Sequence, residues 1–482
     1  MGREELNVFF YPDSIAVVGA SRTPGKVGYE LLRNLKEGFR GRLYPINPKA
    51  DEVLGLKAYP SVKEVPDEID LAVISVPATL VPEVAEDCGE KGVKGLIVIS
   101  GGFKEVGPEG AKLERRLVQV VRKYGVRLVG PNCVGVYVPK TGVNTVFLTR
   151  ERQGFPRHGF IAFMSQSGAF GAAVLDWAAM RGIGMSKFIS YGNKADVDED
   201  DVLEYLRDDG DTRVITMYVE GVSDGRTFFK ALRDTTPVKP VVVLKSGRTE
   251  AGARAASSHT GALAGQDFIY TAVFRQSGAI RTYDMEELFD VGMAMGMQPP
   301  AGGDRVAVLT VGGGSGVMAT DALSDLGLKV PRLSDATIEK LRKILLPIAS
   351  PYNPVDVTGS ARDEHLVEAV EVLMRSGEVN AIMWLPYYMV PGISGELNRK
   401  FIERVRKVNK ELSTPIPVVG VATGGTYTAR FSREAEEMGI PMYLSPERAA
   451  RVIKALVDYG RWLKHVGTFE EYVEKFRKLI NF

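Results

Sequence analysis

Short runs of β-branched and other apolar residues alternate with helix-patterned segments along most of this chain. Between the apolar runs, stretches such as 27–36 and 109–123 repeat their apolar residues with the helical period. Alternating strands and helices predict βαβ units, and therefore a parallel sheet with helices on its faces. The first block of this kind covers residues 13–141, with predicted strands at 14–20, 41–48, 70–76, 95–100 and 126–131.

The alternation restarts twice, after the polar, Gly- and Pro-containing segments 149–159 and 297–304, which indicate linkers. A chain of 482 residues also agrees with three domains, at roughly 150 residues per domain. We therefore predict an α/β protein built from three doubly wound parallel-sheet domains, with boundaries at 1–148, 149–298 and 299–482.

Composition excludes several classes of protein. A net charge of +1 argues against a nucleic-acid-binding surface, which needs a basic excess. No apolar run approaches the roughly 18 residues that span a bilayer, and the first residues lack the apolar region of a signal peptide. The two cysteines, Cys88 and Cys133, cannot build a disulfide framework, which favours a reducing compartment. We expect a cytoplasmic protein.

The turn after the first strand, GASRTPGKVG at 19–28, predicts an anion site. Gly19 and Gly28 would let backbone amides approach a phosphate at the start of the next helix. Ser21, Arg22 and Lys26 add a hydroxyl group and two cations at the same place. A plain strand-to-helix turn is the alternative interpretation.

The type of nucleotide follows from the residues around this turn. Its spacing is not GxGxxG, and the second strand is followed by Asn47 and Lys49 where an NAD site needs an acid. A lysine suits a phosphorylated ribose, as in CoA or NADP, and we favour CoA. Slim turns after the later strands leave room for such a ligand at the same edge of the sheet, at Val76, Pro77, Ser100, Gly101 and Asn132.

His259, one of four histidines, lies in the small-residue segment SSHTGALAG at 257–265. One interpretation is a structural histidine in a loop. A metal ligand is disfavoured, because no second His or Cys lies at ligand spacing, and we predict no metal site on this chain. The third interpretation is a nucleophile, since a neutral imidazole nitrogen can attack phosphorus and later release the phosphoryl group.

A phosphoryl carrier needs donors for the phosphate and a carboxylate to orient the ring. Glu220, at the end of the predicted strand 214–221, is the candidate carboxylate, although it also fits an ordinary strand-end acid. The segments SQSG and GGGSG place hydroxyl groups and glycine amides at two predicted helix starts, unless they are simple tight turns. The predicted phosphate-binding residues are Ser165, Gln166, Ser167, Gly168, Gly313, Gly314, Ser315 and Gly316.

The acidic run DVDEDD at 196–201 predicts a helix start, where acids complement the helix dipole. Asp196 and Asp198 are nearest to the preceding strand end and are retained as possible site contacts.

In combination these motifs resemble the α subunit of archaeal-type ADP-forming acetyl-CoA (acyl-CoA) synthetases, in the superfamily of succinyl-CoA synthetase. The resemblance covers essentially the whole chain and implies a Rossmann-like CoA-binding domain followed by two flavodoxin-like domains. It is carried by VVGASRTPGKVG, PINPK, GPNCVG, SQSGAFGAAVLDWA, YGNKADVD, KSGRTEAGARAASSHTGALAG, LTVGGGSGVMATDAL and NPVDVTGSA.

The resemblance implies a role for each candidate residue. His259 matches the histidine that is phosphorylated, and Glu220 matches the glutamate that supports it. SQSG and GGGSG match the two helix starts that bind the phosphate, and the first turn matches the CoA site. The implied reaction converts acyl-CoA, phosphate and ADP reversibly to acid, CoA and ATP, through acyl phosphate and phosphohistidine.

One departure from the family pattern is that no ATP-grasp module is recognisable in the three blocks. The resemblance therefore implies that ADP or ATP, with Mg²⁺, binds a separate ATP-grasp β subunit, in an α2β2 heterotetramer. A non-catalytic CoA- or acyl-CoA-binding regulatory protein is the alternative, and an NADP-linked oxidoreductase is a third hypothesis that the missing fingerprint disfavours.

Overall fold

The computed structural model of the protein describes residues 3–254 and 266–480. Internal contacts divide the chain into two units, Met1–Arg281 and Thr282–Phe482. Both units contain mainly parallel sheets flanked by helices, which confirms the predicted α/β class. No helix in the described ranges is long and apolar enough to cross a membrane.

The first sheet has the strand order β2-β1-β5-β6-β7, and every neighbouring pair is parallel. Its strands are nearly continuous apolar runs, as expected for a sheet covered on both faces. A short β3–β4 hairpin follows β2. The strands are β1 Ser14–Val18, β2 Arg42–Ile46, β3 Glu52–Val53, β4 Leu56–Lys57, β5 Leu71–Ile74, β6 Gly95–Val98 and β7 Arg127–Val129.

The second sheet has the order β14-β13-β12-β10-β11-β8-β9. Strands β10 to β13 are parallel, whereas β8 pairs antiparallel with β11, and β9 pairs antiparallel with β8. The strands are β8 Gly135–Val138, β9 Val143–Asn144, β10 His158–Ser165, β11 Met185–Ser190, β12 Val214–Val219, β13 Val241–Lys245 and β14 Ile280–Thr282.

The first two sheets share one hydrophobic core. A single buried cluster contains Ile15 and Val17 of β1 together with Ala162 and Met164 of β10. Strands β8 and β9 lie on the first-domain side of the boundary predicted at 148 but belong to the second sheet. The boundary itself stays a prediction.

The helices predicted from the apolar periodicity at 27–36 and 109–123 are present in the first unit. Several helices of this unit end at a glycine with a left-handed backbone conformation, such as Gly92 and Gly125, which satisfies the last carbonyl groups. The helices are Asn7–Phe10, Val27–Gly38, Val81–Lys91, Pro108–Tyr124, Gly168–Arg181, Glu199–Asp208, Gly225–Thr235 and Asp267–Ser277.

The third sheet, in the second unit, has the parallel order β16-β15-β17-β18-β19. Its strands are β15 Val306–Thr310, β16 Val355–Asp356, β17 Ala381–Leu385, β18 Val418–Val421 and β19 Met442–Tyr443. The helices are Met285–Met297, Gly313–Asp325, Asp335–Ile344, Asp363–Arg375, Leu397–Glu411, Thr426–Glu437, Pro446–His465 and Phe469–Ile480.

Helix Met285–Met297 belongs to this second unit, although the boundary predicted at 298 places it with the second domain. Asp290 of this helix forms a two-pronged ion pair with Arg448, with both N–O distances at 2.7 Å. The contact fixes the helix against Pro446–His465.

Each sheet has a point at which its strand order reverses. In each of the three large sheets, the first parallel strand along the chain (β1, β10 or β15) lies between the next two parallel strands, so successive connections leave it in opposite directions. Open α/β sheets bind their ligands in the crevice at the carboxyl ends of these strand pairs. We name the three crevices the first switch point (β1/β5), the second switch point (β10/β12) and the third switch point (β15/β17).

Candidate functional site

Two glycines shape the first switch point. Gly19 has a φ of 89°, in the left-handed region that favours glycine. A Cβ atom at Gly28 would lie 1.9 Å from the carbonyl oxygen of Gly19, so only glycine lets helix Val27–Gly38 begin this close to β1. No described side chain caps this helix, which leaves its first amides available to an anion.

Three predicted CoA contacts, Arg22, Lys26 and Lys49, have exposed cationic side chains around this helix start. Arg22 Nη2 lies 3.5 Å from the carbonyl oxygen of Lys49, so the loops after β1 and β2 approach each other. The arrangement concentrates positive charge where a phosphorylated ribose or a diphosphate would bind.

Asn47 and Ser21 brace these two loops. The Asn47 side chain donates to the Ala20 carbonyl oxygen at 2.7 Å and accepts from the Lys49 amide at 2.8 Å. Ser21 Oγ accepts from the Thr23 amide at 3.1 Å. Asn47 thus occupies the position where a ribose-binding acid would follow the second strand of an NAD site.

The other predicted CoA contacts follow β5, β6 and β7 along the same edge of the sheet. The Ser100 hydroxyl donates to the Val76 carbonyl oxygen, and the Asn132 amide donates to the Ser100 carbonyl oxygen at 3.0 Å. Pro77 and Gly101 are exposed beside them. The structure therefore brings these five residues to the carboxyl ends of neighbouring strands.

At the second switch point, Gln166 joins the ends of β10 and β12. Its Oε1 accepts hydrogen bonds from the backbone amides of Glu220, at 2.9 Å, and Gly221, at 3.1 Å. The Gln166 amide in turn donates to the Tyr218 carbonyl oxygen at 3.2 Å. The backbone of Glu220 is thereby fixed beside the start of helix Gly168–Arg181.

The other residues of SQSG build the turn itself. Ser165 is fully buried, and its hydroxyl donates to the Ser167 carbonyl oxygen at 2.7 Å. Ser167 Oγ caps helix Gly168–Arg181 by accepting from the Phe170 amide at 3.4 Å. A Cβ atom at Gly168 would lie 2.7 Å from Val134, so the turn requires glycine there. Phosphate binding by these residues stays a prediction that now rests on the amides of the helix start.

The third switch point shows a similar bridge. Ser315 Oγ lies 2.9 Å from the hydroxyl oxygen of Tyr387, which follows β17. Gly313 and Gly314 are exposed in the first turn of helix Gly313–Asp325, whereas Gly316 is buried against Thr310 and Pro354. Within the described ranges no side chain caps this helix, so its first amides are available to an anion.

His259 lies outside the described residues. The chain that leads to it leaves β13 at Lys245, and residues 250–254 are helical. Strand β13 is the neighbour of β12, whose end carries Glu220. The role of His259 and its partnership with Glu220 stay predictions.

The acidic run starts a helix, as predicted. Asp198 caps helix Glu199–Asp208 by accepting from the amides of Asp200 and Asp201. Asp196 accepts from Arg127 Nε at 2.9 Å and from the Leu128 amide at 2.8 Å. Both carboxylates are therefore engaged in local structure rather than offered to a ligand.

Asn193 links the first two sheets, and sequence reasoning did not single it out. Its Nδ2 donates to Glu105 at 2.6 Å and to Glu114 at 2.9 Å. Its Oδ1 accepts from the Asn132 side chain at 3.3 Å. A loop that follows β11 of the second sheet thus contacts Asn132, a predicted CoA-binding residue of the first sheet. The sequence YGNK around Asn193 does not indicate such a role.

Three family models match the chain in order along its length. A CoA binding domain matches residues 13–139, a succinyl-CoA ligase like flavodoxin domain matches 158–295, and a Ligase-CoA domain matches 306–463. The first match contains the cationic turn, and the second contains both Gln166 and Glu220.

Curated relatives align with nearly the whole chain. The α subunit of the ADP-forming acetate–CoA ligase II of Pyrococcus furiosus is 42% identical over 462 residues, which cover 96% of this chain and 99% of that subunit. The ADP-forming acetate–CoA ligase of Methanocaldococcus jannaschii is 41% identical over 478 residues, covering 99% of this chain but 66% of that longer protein.

A solved structure agrees with these relatives. The dinucleotide-forming acetyl-coenzyme A synthetase 1 of Ca. Korarchaeum cryptofilum, in complex with phosphate and ADP, superimposes with a TM-score of 0.85 and 38% identity. The match covers 98% of this chain and 99% of that one. The resemblance inferred from the motifs is confirmed, and the chain belongs to the family of ADP-forming acetate–CoA ligase α subunits.

Proposed function

We propose that this chain is the catalytic α subunit of an ADP-forming acyl-CoA ligase in which His259 carries the phosphoryl group. The observation that carries the proposal is the Gln166 bridge, which sets Glu220 beside the start of helix Gly168–Arg181. A phosphohistidine needs a carboxylate that orients the imidazole ring and a helix start whose backbone amides bind the phosphate.

CoA binds at the first switch point. Arg22, Lys26 and Lys49 supply cations for its phosphates, and Gly19 and Gly28 bring backbone amides within reach. The slim turns at 76–77 and 100–101 leave space for the extended part of the molecule. The Asn132–Asn193 contact places this edge next to the second sheet, so an acyl group on CoA needs to extend only toward a neighbouring crevice.

The reaction proceeds in three displacements. Phosphate attacks the acyl carbonyl of acyl-CoA, which forms acyl phosphate and releases CoA as the thiol. A ring nitrogen of His259 then attacks phosphorus, the P–O bond to the acyl group breaks, and the carboxylate leaves. Finally ADP takes the phosphoryl group from phosphohistidine to give ATP.

The nucleotide and its Mg²⁺ bind a separate ATP-grasp β subunit, in an α2β2 assembly in the cytoplasm. The α-subunit name of the full-length P. furiosus relative supports a separate partner chain. The M. jannaschii ligase supports the same division, since a third of its length lies outside the part that this chain matches. The sequence around His259 consists mainly of small residues, which suits a phosphoryl group that is passed between sites on two chains.

ATP formation by the reconstituted assembly tests the proposal. The chain with its β subunit is expected to form ATP from acyl-CoA, ADP and phosphate, and a panel of acyl groups will identify the substrate. The His259→Asn variant is expected to form none while still binding CoA. CoA binding without phosphate-dependent ATP formation in the wild-type assembly would instead favour a regulatory CoA-binding protein.

A further inference from the structure

Two lysines, Lys187 and Lys245, are among the largest fully buried side chains in the described ranges, and both lie on strands of the second sheet. The charge of Lys187 is balanced by Asp209, whose carboxylate lies 2.7 Å from the ammonium group. The Lys187 ammonium group also donates to the hydroxyl oxygen of Tyr11 at 2.9 Å. Among the described residues, no carboxylate forms an ion pair of this kind with Lys245.

The ammonium group of Lys245 contacts only neutral groups within the described part of the chain. It donates to the carbonyl oxygen of Ser246 and lies 4.6 Å from the centre of the Tyr270 ring. Asp267 is the acid whose charge raises the pKa of Lys245 most, but Asp267 is already paired with Arg281. Lys245 therefore forms no ion pair with a described carboxylate.

Burial of this kind is unfavourable for a cation. Burial lowers the pKa of Lys245, because it disfavours the charged form of the ammonium group. The charges of Asp267 and Glu220 oppose this shift, and the charge of Arg281 adds to it. Buried ionisable groups with a perturbed pKa are concentrated at functional sites, where a bound ligand can supply the missing counter-charge.

The position of Lys245 identifies the ligand. Lys245 is the last residue of β13 and pairs with Val219, the residue before Glu220, so Lys245 and Glu220 both lie at the carboxyl end of the sheet. Tyr270, whose ring covers the ammonium, also accepts a hydrogen bond at 3.2 Å from the amide of Val222, two residues beyond Glu220. Lys245 and Glu220 thus lie at the ends of the adjacent strands β13 and β12, and β12 is one of the two strands of the second switch point.

An anion that binds beside Glu220 meets the negative charge of that carboxylate. The amides of a helix start offer only about half a positive charge, which does not balance both a phosphate and a carboxylate. A full cation on the neighbouring strand offsets this repulsion, and the low dielectric of the interior strengthens its effect.

We propose that Lys245 supplies the buried positive charge that holds the transferred phosphate at the second switch point. The inference rests on the proposed function, because it assigns the counter-charge for the phosphate of that same reaction. The ammonium exchanges its contact with the adjacent Ser246 carbonyl for the incoming anion, a movement that the flexible lysine side chain allows.

The test uses the chain assembled with its β subunit and measures the KM for phosphate and the KM for acyl-CoA during ATP formation. Lys245→Met is expected to raise the KM for phosphate at least about tenfold, because a charge interaction is lost, and to leave the KM for acyl-CoA nearly unchanged. Lys245→Arg, which retains the charge, is expected to recover part of the loss. The melting temperature of Lys245→Met should not fall, since no carboxylate loses a partner.

Lys187→Met is the matched control. It leaves Asp209 buried and unpaired, so its melting temperature should fall while its KM for phosphate stays at the wild-type value. If Lys245→Met leaves the KM for phosphate unchanged, or raises both KM values equally, the assignment of Lys245 is overturned. The proposed function is unaffected by that result as long as the wild-type assembly forms ATP. A rise in the KM for the acid alone, measured in the reverse reaction, would instead make Lys245 a carboxylate-binding residue. Absence of ATP formation by the wild-type assembly would refute the proposed function itself.

Discussion

The side-chain oxygen of Gln166 accepts a hydrogen bond of 2.9 Å from the backbone amide of Glu220, across the point where the strand order of the second sheet reverses. One glutamine thereby fixes two elements at once, the turn that precedes helix Gly168–Arg181 and the carboxyl end of β12.

Removing the acceptor should disturb both stability and catalysis. Gln166→Leu leaves the partly buried amides of Glu220 and Gly221 without a partner, which costs about 1–3 kcal/mol. We expect a lower melting temperature, measured by calorimetry, and a lower kcat with CoA binding retained. Gln166→Glu replaces the amide oxygen by a carboxylate oxygen that also accepts, and it is the control for the melting temperature. If the leucine variant keeps the wild-type melting temperature and kcat, the bridge does not position Glu220.

Loss of a cation at the first switch point should weaken CoA binding without unfolding the protein. Arg22→Ala and Lys26→Ala remove exposed side chains, so each is expected to reduce CoA affinity about threefold to fivefold, with a smaller effect at high salt. Isothermal titration measures the affinity directly. The control is Lys112→Ala, which removes an exposed lysine paired with Glu109 on helix Pro108–Tyr124. Equal affinities for the control and the two variants would place CoA elsewhere.

Two glycine substitutions should separate packing from function. Gly28→Ala places a methyl group 1.9 Å from the Gly19 carbonyl oxygen, which should cost about 1–3 kcal/mol or more of folding stability. Gly314→Ala meets no atom within 4 Å and should keep or slightly raise stability, because alanine is the better helix former. We nevertheless expect Gly314→Ala to slow ATP formation, since its methyl group enters the predicted phosphate-binding turn. Full activity of this variant would remove Gly314 from the site.

Asp200 should make stability depend on pH. Its burial, followed by the charges of Asp198, Glu199 and Asp201, raises its pKa to about 8, and Lys194 opposes the rise. The folded protein therefore holds a proton that the unfolded chain releases near pH 4, so the stabilisation present at low pH is lost as pH rises through about 8.

Asp200→Asn removes this dependence. The variant should gain more in melting temperature at pH 8 than at pH 5, and a single pKa unit already corresponds to about 1.4 kcal/mol. Glu204→Gln, on the exposed side of the same helix, is the control and should change the melting temperature equally at both values. An equal gain for Asp200→Asn at both pH values would mean that Asp200 is ionised throughout.

Much of the fold was predictable from the sequence because strands of a covered parallel sheet are strongly apolar and end in small-residue turns. The predicted strand at 214–221 and the predicted helix at 109–123, for example, differ from the observed elements by at most two residues at either end. Strands β8 and β9 were not predicted, because they are short and pair antiparallel at the edge of the second sheet although they directly follow the first sheet along the chain.

The candidate site was predictable where a motif lies at a strand end, since parallel strands bring their carboxyl ends to one edge. Its internal contacts were not. The hydroxyl of Ser165 donates a hydrogen bond within the turn instead of facing a ligand. The side-chain oxygen of Gln166 accepts from the amide of Glu220, which is 54 positions away in the sequence, so no local pattern indicates this contact. Asn193 and Lys245 were missed because their partners come from other elements of the fold.

Transfer of labelled phosphate tests the central claim most directly. The assembly of this chain with its β subunit is incubated with γ-labelled ATP, and the label is located by peptide mapping. We predict an acid-labile label on His259 that is absent in His259→Asn, reduced in Glu220→Gln, and discharged by ADP. An assembly that forms ATP from acyl-CoA without ever labelling His259, or that retains the label in His259→Asn, would contradict the phosphohistidine mechanism.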